Sequence, residues 1–310
     1  MATDTDTDAE SEIADVTGSR LDHRLIDRLL RGSLYTAAAS IMLFLWVPLL
    51  IMIVLSFADP ATTLAGVERV TLDNYQLAVS DENMWSALRG SLAIATASAT
   101  IATVLGVLAS FALTRFGYRF LDVFRTFGIL PMIIPGVILG VGLRVYFREV
   151  FAREWLGLVT LLESPTGFVP VVLAHSVYGL PFVLLVVTAR LYTFDESLEE
   201  AARDLGADPF TTFRDITLPV IAPAVGAGFL FAWIRSFEDF IRALFLTNIN
   251  APVITKWMFQ QIEELNAPKL NPVATMIVAI IAVALAVAMN VGNVTGYVAG
   301  TVEQDDEEQE

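Results

Sequence analysis

The sequence predicts an all-α polytopic membrane protein with six transmembrane helices. Hydrophobic residues fill 55% of the 310 positions, charged residues only 17%, and the mean hydropathy is +0.63. That balance is far from a soluble domain. The apolar residues gather into runs of about 20 or more, the length a helix needs to cross about 30 Å of hydrocarbon. The net charge of −15 stays largely out of those runs. Much of it sits in two tails: Asp4, Asp6, Asp8, Glu10, Glu12 and Asp15 at the start, and Glu303, Asp305, Asp306, Glu307, Glu308 and Glu310 at the end. Such segments have no apolar surface to bury. The expected division is a disordered acidic tail and lead-in over 1–33, a transmembrane domain over 34–298, and a disordered acidic tail over 299–310.

The expected spans are Leu34–Phe57, Leu92–Thr114, Phe127–Phe147, Phe168–Ala189, Val220–Thr247 and Pro272–Val298. The first, second and sixth carry no charge. The third and fourth contain Pro131, Pro135, Pro170 and Pro181, which bilayer helices tolerate when neighbours or water satisfy the freed carbonyls. Arg144, near the outer end of the third span, can snorkel to the interface. The lead-in is acidic and the first apolar run is long and late, which does not fit a cleavable signal peptide.

Arginine placement sets the orientation. Arg20, Arg24, Arg28 and Arg31 precede span one; Arg115, Arg119 and Arg125 follow span two; Arg190, Arg203 and Arg214 lie between spans four and five. The positive-inside rule places these segments in the cytoplasm, and an even span number returns the C-terminus there. The outer loops hold Arg69, Arg89, Arg148 and Arg153, so the bias is modest. A multi-pass protein of the plasma membrane with both termini cytoplasmic is expected.

Several chemistries are disfavoured. No cysteine means no disulfide and no thiol chemistry. The two histidines, His23 and His175, are far apart in sequence, and no nucleophile stands with a base. No basic patch points to nucleic acid. A P-loop requires G-x-x-x-x-G-K-[ST], and neither Lys256 in VITKWM nor Lys269 in APKLN has that context. With only those two lysines, the acid excess suggests a high-salt cytoplasm, as in a halophile; an ordinary acidic tail is the alternative.

The loop between spans four and five is polar yet ordered in pattern. Asp195 or Ser197 can cap a helix, and Ser197–Glu200 fits a capping box. Leu198, Ala201, Ala202 and Leu205 can share one face. Gly206 falls where a helix C-terminus favours the left-handed region. Asp208–Pro209 reads as a second N-cap, with Phe210, Phe213 and Ile216 as the apolar side of a second short helix. By pattern alone this could equally be an interfacial helix resting on lipid.

Glu200-Ala201-Ala202, three residues, Gly206, nine residues, then Ile216-x-Leu218-Pro219 resembles the EAA loop of ABC importer permeases. The resemblance implies a type I ABC importer permease fold, in which this loop forms coupling helices that dock into an ATPase subunit. It implies that Ala201 and Ala202 permit close approach, Glu200 supplies a polar anchor and Gly206 makes the bend. Phe213, Ile216, Leu218 and Pro219 would carry the loop into span five. ATP and magnesium would then belong to an ATPase dimer, with no cofactor in this chain. A second permease subunit and an extracellular substrate-binding protein would complete the assembly.

Residues 70–92, 111–119, 130–143, 236–247 and 267–278 further resemble the spermidine/putrescine permeases, most of all their second permease subunit. The resemblance covers roughly residues 40–285. It departs at Arg235, Arg242 and 251–266, so permeases for thiamine, ferric iron, phosphonate or molybdate stay open as alternatives. An ion-gradient-driven secondary transporter is the rival from another class, but no internal repeat supports it.

Glu238 and Asp239 lie within the expected fifth span beside Ser236. Ionisable groups there usually face a bundle interior or an aqueous path, and carboxylates suit an ammonium solute. Arg235–Asp239 and Glu238–Arg242 are each four apart, so intrahelical ion pairs are the competing reading. His175 and Tyr178 are the other polar path candidates, and a bundle hydrogen bond is the simpler role for the histidine.

Overall fold

The structure, a computed structural model, describes residues 5–59, 69–116, 121–152, 166–249 and 251–291. The last residues of the expected sixth span, the tail 299–310, Arg119 and Arg153 lie outside them. The chain divides into two units, 1–71 and 72–310.

In the first unit a single helix, α1, covers Thr5–Ser56. Its backbone is helical from Thr5, whereas the sequence reading places no regular structure before residue 34. The apolar side chains of its second half, among them Phe44 and Trp46, are exposed, as a lipid-facing span requires. Beyond the helix an isolated bridge pairs Ala58 with Val70, and Thr71 N donates to the Phe57 carbonyl.

The second unit contains α2 (Asp73–Val79), α3 (Glu82–Arg115), α4 (Leu121–Ile133), α5 (Gly136–Ala152) and α6 (Phe168–Tyr192). After these come α7 (Ser197–Asp204), α8 (Pro209–Thr212), a π turn (Phe213–Thr217), α9 (Leu218–Phe237), α10 (Ile241–Leu246), α11 (Ile254–Glu263) and α12 (Ala267–Val291). Asp81 starts α3 by accepting from Asn83 N at 3.0 Å and Met84 N at 3.2 Å. Its other oxygen accepts from Lys269 Nζ at 2.8 Å, tying the start of α3 to the start of α12.

Helices α3, α6 and α9 form the centre. Their shared core includes Ala99, Ala102, Val183, Val187 and Ile221, all almost fully buried. Small residues set the spacing: a Cβ on Gly106 would lie 2.7 Å from Val183 Cγ1, and one on Gly228 would lie 3.1 Å from Val183 Cα. In hydrocarbon, such close approach replaces the hydrophobic effect as the source of helix association. A second cluster joins α3 to α11 and α12 through Met84, Ile254, Trp257 and Val273.

Two expected spans are broken. The third is not one helix over Phe127–Phe147: Thr126–Ile133 and Gly136–Glu149 meet at 108°. Pro135 has no N–H to give and turns Ile134 away from helical geometry, so the break falls there. The fifth does not continue to Thr247. It stops at Phe237, leaves Glu238–Phe240 outside regular helix, and resumes as α10. The described helices thus supply five spans, or six with the bent pair counted as one. Arg144 does not snorkel freely; it donates to the Phe245 carbonyl at 2.8 Å and fastens α5 to α10.

Candidate functional site

The loop before α9 is built by caps. Gly206 has φ +89°, the conformation that ends α7. Ala207 N donates to the Ala202 carbonyl at 3.0 Å and Gly206 N to the Arg203 carbonyl at 2.9 Å, the paired bonds of a Schellman turn. Asp208 then caps α8: Oδ1 accepts from Phe210 N and Thr211 N, and Oδ2 from the Thr211 hydroxyl at 2.7 Å. That hydroxyl, with the Thr211 N–H, holds the Asp208 carboxyl below the usual aspartate range. The expected Ser197 capping box is absent. Ser197 is already the first helical residue, and Asp195 Oδ1 accepts its N–H instead.

The loop candidates divide into two sets. Glu200, Ala201 and Gly206 face outward and Ala202 is half-buried, on a surface that also exposes Leu198, Leu205 and Phe210. Leu205 is 90% exposed and Phe210 70%, so the three residues expected to share the apolar side of the second helix do not face one way. Phe213, Ile216 and Leu218 turn inward and pack on the central core. Phe213 meets Phe111 edge-to-face with centroids 5.1 Å apart. Pro219 is exposed at the start of α9.

Sequence reasoning missed Glu199, which is buried where Glu200 is not. Arg115, the last residue of α3, places Nε 3.0 Å from Glu199 Oε2 and donates from Nη2 to Oε1 at 3.3 Å. Thr217 Oγ1 donates to the same Oε1 at 2.7 Å. Arg115 also pairs with Glu196 at 2.7 Å and lies over the Phe194 ring. The Glu199–Glu200 doublet was the available signal, but spacing does not say which acid turns inward.

The path candidates converge where α9 breaks. His175 Nδ1 and the Ser236 hydroxyl are 2.8 Å apart, and the same hydroxyl is 2.8 Å from Ser98 Oγ on α3. His175 Nε2 lies 4.0 Å from Asp239 Oδ2. The acids are paired, but not at the four-residue spacing expected. Because the helix ends at Phe237, Glu238 pairs with Arg235 and Asp239 with Arg242, each three residues apart. Asp239 Oδ1 also accepts from Arg242 N at 2.9 Å, starting α10. Tyr178 gathers both cations: Arg235 donates to its hydroxyl, and the Arg242 guanidinium lies 3.4 Å from its ring centroid. The Asp239–Arg242 pair is buried, whereas Arg235 and Glu238 are nearly half exposed. A cavity of about 630 Å³ lies elsewhere, bordered by Asp81, Trp257, Gln261 and Lys269 but by none of the site candidates. Among the described residues, no group of three or more His, Asp or Glu could hold a metal ion.

The family model for the binding-protein-dependent transport system inner membrane component matches residues 16–294. The chain belongs to this family. The permease is 31% identical over 256 residues to the spermidine/putrescine transport system permease protein PotC of Escherichia coli (strain K12), covering 83% of this chain and 91% of that one. It is 33% identical over 242 residues to the putrescine transport system permease protein PotI of the same strain, covering 77% and 83%. A solved bacterial ABC transporter that imports the acidic polysaccharide alginate contains a chain superimposing with a TM-score of 0.70 at 14% identity, over 85% of the permease and 96% of that chain. The fold is therefore that of the type I ABC importer permeases, and the protein is a multi-pass permease subunit of an ABC importer.

Proposed function

We propose that the permease moves a polyamine, spermidine or putrescine, in an assembly powered by ATPase subunits that dock on the loop 190–219. The observation that carries the docking is the capped loop itself. Two helix ends are fixed by hydrogen bonds, and the apolar side chains Leu198, Leu205 and Phe210 are held outward on a polar segment. A rigid, apolar, rimmed surface is what a partner protein recognises. Glu200, Ala201 and Ala202 provide the close contact, while Phe213, Ile216, Leu218 and Pro219 transmit it to α9. On this reading the loop and both termini are cytoplasmic. A second permease subunit completes the path, an extracellular binding protein delivers solute, and ATP with magnesium binds the ATPase dimer. On this reading the transmembrane domain covers 34–298, between a disordered acidic tail and lead-in over 1–33 and a disordered acidic tail over 299–310.

The polyamine assignment is supported by the names of the relatives and by chemistry. Glu238, Asp239 and the Tyr178 ring are groups that bind ammonium ions, with Ser236 and His175 beside them. Arg235 and Arg242 favour a second reading, an anionic solute. A molybdate/tungstate permease protein, WtpB of Pyrococcus abyssi, is 30% identical over 161 residues, covering 52% of this chain. The test reconstitutes the transporter with loaded binding proteins and measures ATP hydrolysis. Stimulation by the spermidine- or putrescine-loaded protein, lost in Glu200→Lys and Gly206→Pro, is expected. Stimulation only by an oxyanion-loaded protein would replace the solute; stimulation unaffected by both substitutions would sink the docking assignment.

A further inference from the structure

Glu199 has no evident reason to be buried if the loop is only a docking platform. A carboxylate removed from water must be compensated, and an apolar residue would anchor a surface helix at less cost. Its partners come from two other elements. Arg115 closes α3, and Thr217 closes the π turn that runs into α9. One oxygen, Oε1, is shared between Arg115 Nη2 and Thr217 Oγ1. Displacing α7 relative to either neighbour therefore breaks a bond to the same atom.

Among the described residues, the rest of α7 offers no comparable tie to α3. Its Leu198, and Leu205 just beyond its end, face outward. The Arg115–Glu196 pair is the other bridge, but Glu196 is 64% exposed, and exposed pairs contribute little. The π turn already makes α9 continuous with the loop, because Thr217 leads directly into Leu218. The second central helix, α3, is separated from the loop by the whole of α6 in sequence. It reaches α7 through Arg115.

From this geometry we infer that Glu199 is a positioning residue: a three-way clasp with Arg115 and Thr217 that makes α3, as well as α9, follow the loop when the ATPase moves it. The inference rests on the reading that the loop meets the ATPase. Force applied to α7 enters two of the three central helices at once, so α3 and α9 turn as one body.

The chain has no cysteine, so paired spin labels can be placed without background from its own residues, in a transporter whose other subunits are made cysteine-free. Labels on Leu108→Cys in α3 and Asp204→Cys in α7 report the separation by electron double resonance in the full transporter. It is measured nucleotide-free and after trapping with ATP and vanadate. With Glu199 intact, one distance distribution common to both states is expected. Glu199→Gln should shift or broaden it on trapping, and Arg115→Glu with Glu199→Arg should restore it. Thr217→Val, which removes one hydrogen bond and keeps the ion pair, should give a smaller shift if Glu199→Gln does not assemble. An unchanged distribution in both Glu199→Gln and Thr217→Val, with Asp204→Cys still crosslinking to the ATPase, overturns the clasp and leaves the docking intact. Absence of that crosslink in the parent overturns the docking, and the clasp falls with it.

Discussion

His175 Nδ1 stands 2.8 Å from the Ser236 hydroxyl, joining α6 to α9 at the last turn before the break. The hydroxyl also meets Ser98 on α3, so one small group bridges all three central helices. Ser236→Ala removes the partner of His175 Nδ1, while Ser98 keeps its bond to the Ile94 carbonyl. A loss of about 1–3 kcal/mol is expected from the buried group left unsatisfied. Thermal unfolding of the detergent-solubilised protein reads it, and an unshifted transition would show the bridge to be dispensable.

The buried Asp239–Arg242 pair should behave asymmetrically. Asp239→Asn leaves Arg242 without its counter-charge, and breaking a buried pair on one side costs about 3–5 kcal/mol. Asp239→Asn combined with Arg242→Gln should recover part of that loss. A double variant no more stable than Asp239→Asn alone would mean that Tyr178 and the helix start, not the charge, hold Arg242 in place.

Gly90 is a packing position that hydropathy does not reveal. A Cβ there would collide with the backbone carbonyl of Pro252 in the segment before α11. Gly90→Ala should cost about 1–3 kcal/mol by overpacking. Gly226→Ala, where a Cβ meets nothing within 4 Å, should be neutral or stabilising by up to about 1 kcal/mol. Comparing the two variants in one unfolding assay checks the contrast, which disappears if the segment simply moves aside.

Asp208→Ala removes two backbone bonds and a hydroxyl bond at the start of α8. N-cap losses are about 1 kcal/mol. Global stability should change little, since the loop can fray by itself. Retention of the ATPase on co-purification should fall, with Asp208→Asn closer to the parent. Equal retention by all three would show that the cap does not shape the docking surface.

The Asp81–Lys269 tie carries a pH signature. Burial alone would raise the Asp81 carboxyl, but the Lys269 hydrogen bond and charge, with the Met84 and Asn83 N–H groups, outweigh it and hold it below the ordinary 3.8. The folded state thus binds this proton more weakly than the unfolded state. The contribution is complete above 3.8 and fades as pH falls through and below that value. Unfolding scans from neutral to acid pH should show the parent losing its advantage over Asp81→Asn in the acid limb. A constant difference would show that ionisation of the Asp81 carboxyl is not its source, since asparagine keeps the cap without titrating.

Much of the architecture was legible because hydropathy runs and proline positions are local signals. The start of α6 at Phe168 and the Gly206 and Asp208 turns follow from single residues whose backbone preferences leave few alternatives. The two breaks were harder. Pro135 signals a defect but not its angle, which depends on how α5 docks against α10. Nothing in SFEDF stops a helix by propensity alone; Asp239 instead pairs with Arg242 and accepts from its N–H, a choice fixed by tertiary burial. The same limit applies to Glu199. Its face on α7 depends on Arg115, 84 residues earlier, which no periodicity over a short window can register. The path candidates did gather in one place, because residues marked by intramembrane polarity must find one another to be tolerated there.

The bend between α4 and α5 also bears on how the chain is made. At 13 and 17 residues, each half falls short of the length of about 20 that a translocon releases readily into lipid. Their seats, α6 for the first half and α10 for the second, are synthesised later. Biogenesis of this region is therefore expected to be delayed: the hairpin waits at the insertion site until residues near 246 have emerged. Nascent chains truncated before α10 should leave α5 open to protease, and chains extended past it should not. Protection already complete in the shorter chains would mean that the hairpin enters the bilayer unaided.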